Sequence, residues 1–342
     1  LATINVGKGP RFPALATIAD KSKLYVPCGG ANRVDVIDTT TNTKVAEIPV
    51  GLDPSSCTVT VNNSKVYVTN FGDGSISVID PKTDRKIKDI PAPHVTLPTP
   101  AGSTTPPAAP LLTNPWNATI SQTNGQLYVT YWGTAGNVFP NGAIAQFDTC
   151  KDEFVRATLD EQTRGTPPGS AGASGIVAPT APLTRDATTG TTPGAGGGGG
   201  GPFGLASCES ARHPLVFTND GAGIIGLLDT RIDQVTSSPP IALSSCPKPR
   251  GIAGTIDPSP IPPMVGLAPA RIAYVACGQP DNAILTFKVP AQIQPIKGLP
   301  VIESVSFGNK LNIVGSGFTR DIIIQIIAPE SSECLGFNKT PK

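Results

Sequence analysis

VYVTNFGDGSISVIDPKTDRKIKDIPAP occupies residues 66–93. Val66–Asn70 is a short β-branched and aromatic run, the composition of a strand. Phe71-Gly72-Asp73-Gly74 is turn chemistry. Ile76–Ile79 is a second strand, closed by Asp80 and Pro81. An Asp there can accept from backbone amides two residues on, and Pro presets φ for the turn. Lys86–Ile90 reads as a third strand, and Cys57–Val61, upstream, as another. That makes four strands in roughly 40 residues.

The unit repeats. LYVPCGGANRVDVIDTTTNTKVAEIPVG (24–51) is the same sentence, preceded by Leu15–Ile18. Looser copies begin at Leu127, Leu215 and Ala273. Their second runs are Ala143–Phe147, Ile224–Leu228 and Ala283–Phe287. An Asp closes four of the five second runs: Asp38, Asp80, Asp148 and Asp229. From anchor to Asp is 14 residues in the units starting at 24, 66 and 215. A four-stranded unit recurring in this way is the signature of a β-propeller blade. The expected fold is therefore all-β: five blades of four antiparallel strands over residues 1–292.

The anchors lie 42, 61, 88 and 58 residues apart. Low-complexity tracts account for the excess: a Pro/Thr/Ala-rich insert at 93–114, and a Gly/Thr/Pro-rich one at 161–202 containing Gly196–Gly201. Neither has the apolar periodicity of a blade, so both are expected as loops on the faces. A third insert, about 256–270, separates the first two strands of the last blade. Leu1–Val6 matches the outermost strand of a unit, which predicts that it completes the three-stranded last blade and closes the ring. Closure removes exposed edges. The alternative is a six- or seven-bladed ring with blades beyond this N-terminus.

Residues 66–80 resemble the YVTN-type β-propeller repeat, closely in the first two units and recognisably in the others. The third unit departs from it with Tyr131 in place of Asn, and the fifth with Cys277 there and Lys288 near the closing Asp position. Residues 298–342 depart from the repeat. Pro300, Ile302, Val305, Leu311, Ile313, Gly315, Gly317 and Phe318 resemble the start of an IPT/TIG immunoglobulin-like domain. An immunoglobulin-like sandwich needs roughly 80–100 residues, so the segment implies an incomplete sandwich. Strand addition from another molecule would complete it.

The chain has 342 residues, with 37 Gly and 37 Pro, about 22% against roughly 12% in average proteins. Only 15% is charged and the net charge is +1. The Gly and Pro content argues against a mainly helical fold, and the absent basic surplus argues against nucleic-acid binding. No apolar run approaches a membrane span of about 18 residues. The start at Leu1 without a signal-peptide pattern reads as a processed or partial chain.

Seven Cys, none in CxxC, point to an oxidising compartment or to buried thiols. Propeller geometry suggests Cys28 with Cys57, Cys246 with Cys277, and Cys150 with Cys208. Cys334 is left unpaired or intermolecular. Sequons at Asn62, Asn117 and Asn338 permit glycosylation.

No catalytic constellation emerges. The two His, His94 and His213, sit on separate loops, and no metal-ligand spacing, GxSxG elbow or P-loop is present. No cofactor or metal is expected. The residues placed toward one propeller mouth are Arg11, Asn70, Phe71, Tyr131, Trp132, Asn219, Asp220, Lys248 and Arg250, as ligand or partner contacts. Arg11 and Arg250 hold similar places, each beside a Pro at the start of a blade. These readings lead to an expected non-enzymatic, secreted or cell-surface prokaryotic protein. It would serve adhesion, a surface layer or a filament, with protein partners, self-association through the C-terminal segment, and carbohydrate as a further partner. The alternatives are a propeller enzyme or redox partner of the lactonase-like or quinoprotein-associated kind, and a periplasmic ligand-binding module.

Overall fold

The computed structural model describes residues 3–95, 111–121, 125–134, 143–159, 202–206, 215–219, 224–230, 234–235, 241–242, 245–246, 248–256, 271–278, 282–289, 301–307, 311–316, 324–327 and 334–337. The chain divides into two compact units, Leu1–Ala291 and Gln292–Lys342.

The first unit is a succession of small antiparallel sheets in chain order. Sheet 1 is β1 (Ala14–Ile18), β2 (Lys21–Cys28), β3 (Arg33–Asp38) and β4 (Thr43–Pro49). Sheet 2 is β5 (Pro54–Val59), β6 (Val66–Asn70), β7 (Ile76–Asp80) and β8 (Arg85–Ile90). Sheet 3 is β9 (Leu112–Ile120), β10 (Leu127–Thr134), β11 (Ala143–Asp148) and β12 (Glu153–Leu159). Sheet 4 is β13 (Pro202–Ala206), β14 (Leu215–Asn219), β15 (Ile224–Asp229) and β16 (Gln234–Val235), with β17 (Ile241–Ala242) also on β15. Among the described residues sheet 5 has three strands, β18 (Pro249–Ile256), β19 (Arg271–Cys277) and β20 (Ile284–Val289). The fold is the expected all-β, propeller-like ring of small sheets, and the only helical turn among the described residues is Gly29–Ala31.

Strand alternation explains how each sheet serves two neighbours. Along β6, Val66 and Val68 join Tyr25, Val34, Val36 and Ile48 of sheet 1, whereas Tyr67 joins Leu127, Val129 and Phe147 of sheet 3. Tyr128 turns onward to Leu215 and Phe217 of sheet 4. Val216 in turn packs with Ala273 and Val275 of sheet 5. Each fully buried aliphatic or aromatic side chain contributes about 1.5–3 kcal/mol, so the cores lie between sheets and the sequence of the second strand dictates both.

Three of the four closing Asp residues act as read from sequence, and the Asp229 side chain lies outside the described residues. Asp38 Oδ1 accepts from Thr40 N (2.7 Å), Asp80 Oδ1 from Lys82 N (2.9 Å) and Asp148 Oδ1 from Cys150 N (2.7 Å). The Thr40 and Thr41 amides hold the Asp38 carboxyl below its ordinary range.

Thr3–Val6, the described part of the expected closing strand, pairs with no strand of sheet 5. Ile4 and Val6 instead lie against Leu24, Val26 and Ile37 of sheet 1. Lys8 O and Gly9 O accept from Gly30 N (3.0 Å) and Gly29 N (2.9 Å), which fixes the segment there. The tract 93–114 ends inside β9, and a bridge between His94 and Leu111 ties its two ends. Residues 160–201 lie outside the described residues.

The second unit holds two antiparallel pairs, β21 (Val301–Phe307) with β22 (Leu311–Ser316), and β23 (Ile324–Ile327) with β24 (Cys334–Phe337).

Candidate functional site

One feature recurs in every sheet of the first unit. A proline in the innermost strand, or just ahead of it in sheet 1, sits opposite the last residue of the repeat's five-residue anchor. The pairs are Pro10 with Cys28, Pro54 with Asn70, Pro115 with Tyr131, Pro202 with Asn219, and Pro249 with Cys277. Proline suits an edge strand or a bulge, where its missing N–H leaves no ladder bond unmade. The register slips just after it in sheets 2 to 5. A bulge of this kind re-aims the next side chain. That next residue is Arg11, Ser55, Trp116, Phe203 or Arg250. The likeness of Arg11 and Arg250 noted in the sequence is thus one position of a fivefold pattern.

These strand starts converge. Phe12 bridges Ser56 in parallel, joining the segment ahead of β1 to the innermost strand of sheet 2. Ser55 Oγ donates to Pro115 O of sheet 3 at 3.0 Å. The Arg11 guanidinium pairs with Asp53 at 2.9 Å and lies 5.3 Å from the centroid of the Trp116 ring. A cation over an indole face is attracted by the ring quadrupole. Around them, Trp116 and Trp132 stand 4.7 Å apart between centroids, and Phe71 meets both rings edge-on. Phe12 adds an edge contact to Trp116 at 5.8 Å. Three sheets therefore build one aromatic cluster with a single Arg–Asp pair at its margin. Arg11 Nη1 is buried with no hydrogen-bond partner.

Of the sequence candidates, Arg11, Phe71 and Trp132 meet in this cluster. Asn70 does not line a mouth: it is wholly buried, and its Nδ2 donates to Ser75 Oγ and Ser77 Oγ at 2.9 Å each, bracing the β6–β7 turn. Tyr131 is likewise interior, because its position in β10 faces sheet 2, and its hydroxyl donates to Gly74 O at 3.4 Å. Burial raises its pKa. Lys248 and Arg250 belong to the start of sheet 5. The Asn219 side chain, Asp220 and His213 lie outside the described residues. Sequence reading missed Phe12, Asp53 and Trp116. The fivefold proline would have exposed Trp116.

A second network concerns the joints between sheets. Tyr25 OH donates to Asp84 Oδ1 at 2.6 Å, and Lys23 Nζ to Asp84 Oδ2 at 2.6 Å. One sheet further on, Tyr67 OH donates to Asp152 Oδ1 at 2.5 Å, and Lys65 Nζ to both Asp152 oxygens at 2.8 Å. A Lys-x-Tyr pair in one sheet thus grips an Asp four residues past the closing Asp of the next. Asp84 and Asp152 have φ of 53° and 54°, a region that Asp and Asn tolerate better than other side chains. Burial, with Asp152 close by, pushes the Tyr67 hydroxyl far above its ordinary pKa, and burial with Asp84 does the same for Tyr25. These Asp residues hold sheets together and are engaged on both oxygens.

Cys246 and Cys277 form the expected disulfide, with Cα atoms 5.4 Å apart. Cys150 is disulfide-bonded, and its expected partner Cys208 lies outside the described residues. Cys28 and Cys57 are not bonded to each other; both are buried free thiols. The reason is strand alternation. Cys28 faces Ile4, Val6 and Ala31, whereas Cys57 faces Ala16, Tyr25 and Val66, in separate cores. Burial raises both thiol pKa values, leaving Cys57 and Cys28 poor nucleophiles. The Cys334 side chain is outside the described residues.

Among the sequons, Asn62 sits in the β5–β6 turn, with Oδ1 accepting from Ser64. Asn117 lies within β9, half-buried, with its backbone bonded to Thr130 Oγ1, so it is not a surface-loop acceptor. Asn338 lies outside the described residues. Among the described residues no three His, Cys, Asp or Glu side chains are grouped to hold a metal ion, and no helix is long and apolar enough to cross a membrane.

No family model matches the chain, and no curated protein matches it. Among solved structures, the chain is similar to hydrazine synthase of Kuenenia stuttgartiensis. The identity is 16% and the TM-score 0.44, over 81% of this chain and 83% of that one.

Proposed function

We propose that this protein is a self-associating structural or interaction scaffold in an oxidising, extracellular or cell-surface setting. It serves adhesion, a surface layer or a filament, and belongs with YVTN-type propellers carrying an IPT/TIG-like tail. The observation that carries this reading is the use of the recurrent reactive side chains. Lys23, Tyr25 and Asp84, and Lys65, Tyr67 and Asp152, are all engaged in sheet-to-sheet clamps. A substrate finds no free acid, base or nucleophile in them. The Cys246–Cys277 disulfide and the bonded Cys150 support the oxidising location. The tail's short strand pairs offer edges for strand addition between molecules. Electron microscopy and light scattering on the purified protein test the reading. Polymers or defined oligomers are the expected result, and monomers at every concentration would overturn it.

A second reading, a ligand-binding mouth of the enzyme, redox-partner or periplasmic-binder kind, is favoured by one observation: the buried, unpartnered Nη1 of Arg11 beside Trp116. Elemental analysis and an absorbance spectrum of the natural protein decide it. A bound metal or chromophore would displace the scaffold reading.

A further inference from the structure

The recurrent proline marks two places in each sheet: the residue after the proline, and the residue after the anchor that faces it. From sheet 1 to sheet 5 these are Arg11 with Gly29, Ser55 with Phe71, Trp116 with Trp132, Phe203 with Asp220, and Arg250 with Gly278. In sheets 2 and 3, Phe71, Trp116 and Trp132 of the aromatic cluster fill three of the four places. Arginine and glycine occur together twice, in the first and last sheets, which come round to each other in a ring.

The geometry explains the pairing. Gly29 N donates to Gly9 O and Gly278 N to Lys248 O, each at 2.9 Å, so the two glycines hold the same backbone position. Each lies against its arginine. A Cβ on Gly29 would stand 3.1 Å from Arg11 Cζ and 2.5 Å from Asp53 Oδ1, and a Cβ on Gly278 would stand 3.4 Å from Arg250 Nε. A side chain the size of Phe71 or Trp132 would take the space that the guanidinium uses. The backbones are braced as well. Arg11 N donates to Pro27 O at 3.0 Å, and Arg250 O accepts from Thr218 Oγ1 at 2.7 Å. Three residues ahead of the proline, Cys246 is bonded to Cys277. Gly7 takes that place in sheet 1 and packs on Cys28, 2.9 Å from whose Cβ its own Cβ would stand.

Arg11 has donors to spare. Its Nη2 is held by Asp53, and its Cζ lies 5.3 Å from the centroid of Trp116. Its Nη1 is buried and meets no acceptor of the protein. Buried donors are normally matched by an acceptor, and a guanidinium presents five of them in a planar fork. We propose that Arg11 and Arg250 form a two-armed site for an oxyanion, the carboxylate or phosphate group of a small ligand. The guanidinium fork matches two oxygens of either group. The oxyanion accepts from Arg11 Nη1 on one side and from the Arg250 guanidinium on the other, while Asp53 stays on Nη2 and holds Arg11 in place. This inference rests on the ligand-binding reading and names the chemistry of its ligand.

Trp116 and Trp132 are the chain's two tryptophans, so intrinsic emission reports this cluster. The test titrates the full-length protein with sodium phosphate and, separately, with sodium succinate, each against sodium chloride of matched ionic strength. A saturable change in emission with either oxyanion, absent with chloride, is the expected result, and the salt that saturates at the lower concentration identifies the group. Arg11→Gln and Arg250→Gln are each expected to weaken binding about tenfold or more. Arg85→Gln, exposed on β8, leaves it unchanged. Arg250→Gln keeps the Arg11–Asp53 pair and decides the matter if Arg11→Gln fails to fold. A response no larger than that of chloride, or one that survives either substitution in a folded protein, would overturn the proposal. A metal or chromophore bound in the natural protein with no oxyanion response would sink this site and leave the ligand-binding reading standing. A natural protein with no bound ligand and no oxyanion response would sink both.

Discussion

The joint between sheets 2 and 3 and the outer face of sheet 5 are built on one register and end in opposite states. At the first, Tyr67, Ile76 and Val78 are sealed under Leu127, Val129 and Phe147. Lys65 and Tyr67 also reach across to Asp152. At the second, Tyr274, Ile284 and Thr286 occupy the same places and remain open. Sheet 5 has Ile272 where sheets 1 and 2 have Lys23 and Lys65, so half the clamp is missing from its sequence. The lesson is that burial in this fold belongs to pairs of sheets, and a repeat is stable only as its neighbour makes it.

The comparison breaks most visibly at Asp152. Asp152→Ala leaves the Lys65 ammonium, 7% exposed, without its carboxylate, and places Ala at a left-handed φ of 54°. Stranding a buried charge costs about 3–5 kcal/mol. Equilibrium denaturation is expected to show a loss of that order, with Asp152→Asn losing less because it keeps an acceptor and tolerates the backbone. Equal losses for the two variants would mean that the charge of Asp152 carries the whole effect and that the acceptor and the backbone contribute little. Next comes Ile76→Ala, in the sealed core. Truncating a buried Ile costs about 2–5 kcal/mol, read in the same experiment.

A third measurement follows from the tyrosines. Burial raises the folded-state pKa of Tyr25, Tyr67 and Tyr131. A raised pKa means that the folded protein holds the proton more tightly than the unfolded chain. The contribution is therefore complete below the unfolded value of about 10 and is lost as pH climbs above it. Each such tyrosine steepens the alkaline loss by about 1.4 kcal/mol per pH unit. Tyr67→Phe is expected to flatten the fall in stability above pH 10 by one such increment. An unchanged slope would show that Tyr67 ionises alike in both states.

Much of this was legible in the linear sequence, and the reason is repetition. The strands of sheets 1 and 2, the Asp38, Asp80 and Asp148 turns and the Cys246–Cys277 bond follow from aligned units and turn chemistry. The misses share a cause as well. Cys28 and Cys57 sit at neighbouring joints in chain order, but alternation turns them into different cores. Asn70 and Tyr131 looked like rim residues because they end a strand. Each lies opposite the recurrent proline of the innermost strand and is buried. The Arg11–Trp116 contact joins sheets 1 and 3, a distance in sequence that no local pattern encodes.

The smallest effect is the sharpest test of the comparison. Ile284→Ala removes the same side chain as Ile76→Ala from the equivalent register position. Ile284 is 71% exposed and Ile76 0%. A surface substitution away from packed features stays within about 0.5 kcal/mol. At concentrations where the protein is monomeric, Ile284→Ala is therefore expected to unfold at the same denaturant midpoint as the unmodified chain. A loss at Ile284 that equals the loss at Ile76 would mean the face is covered within its own chain. The contrast between the two joints would then disappear.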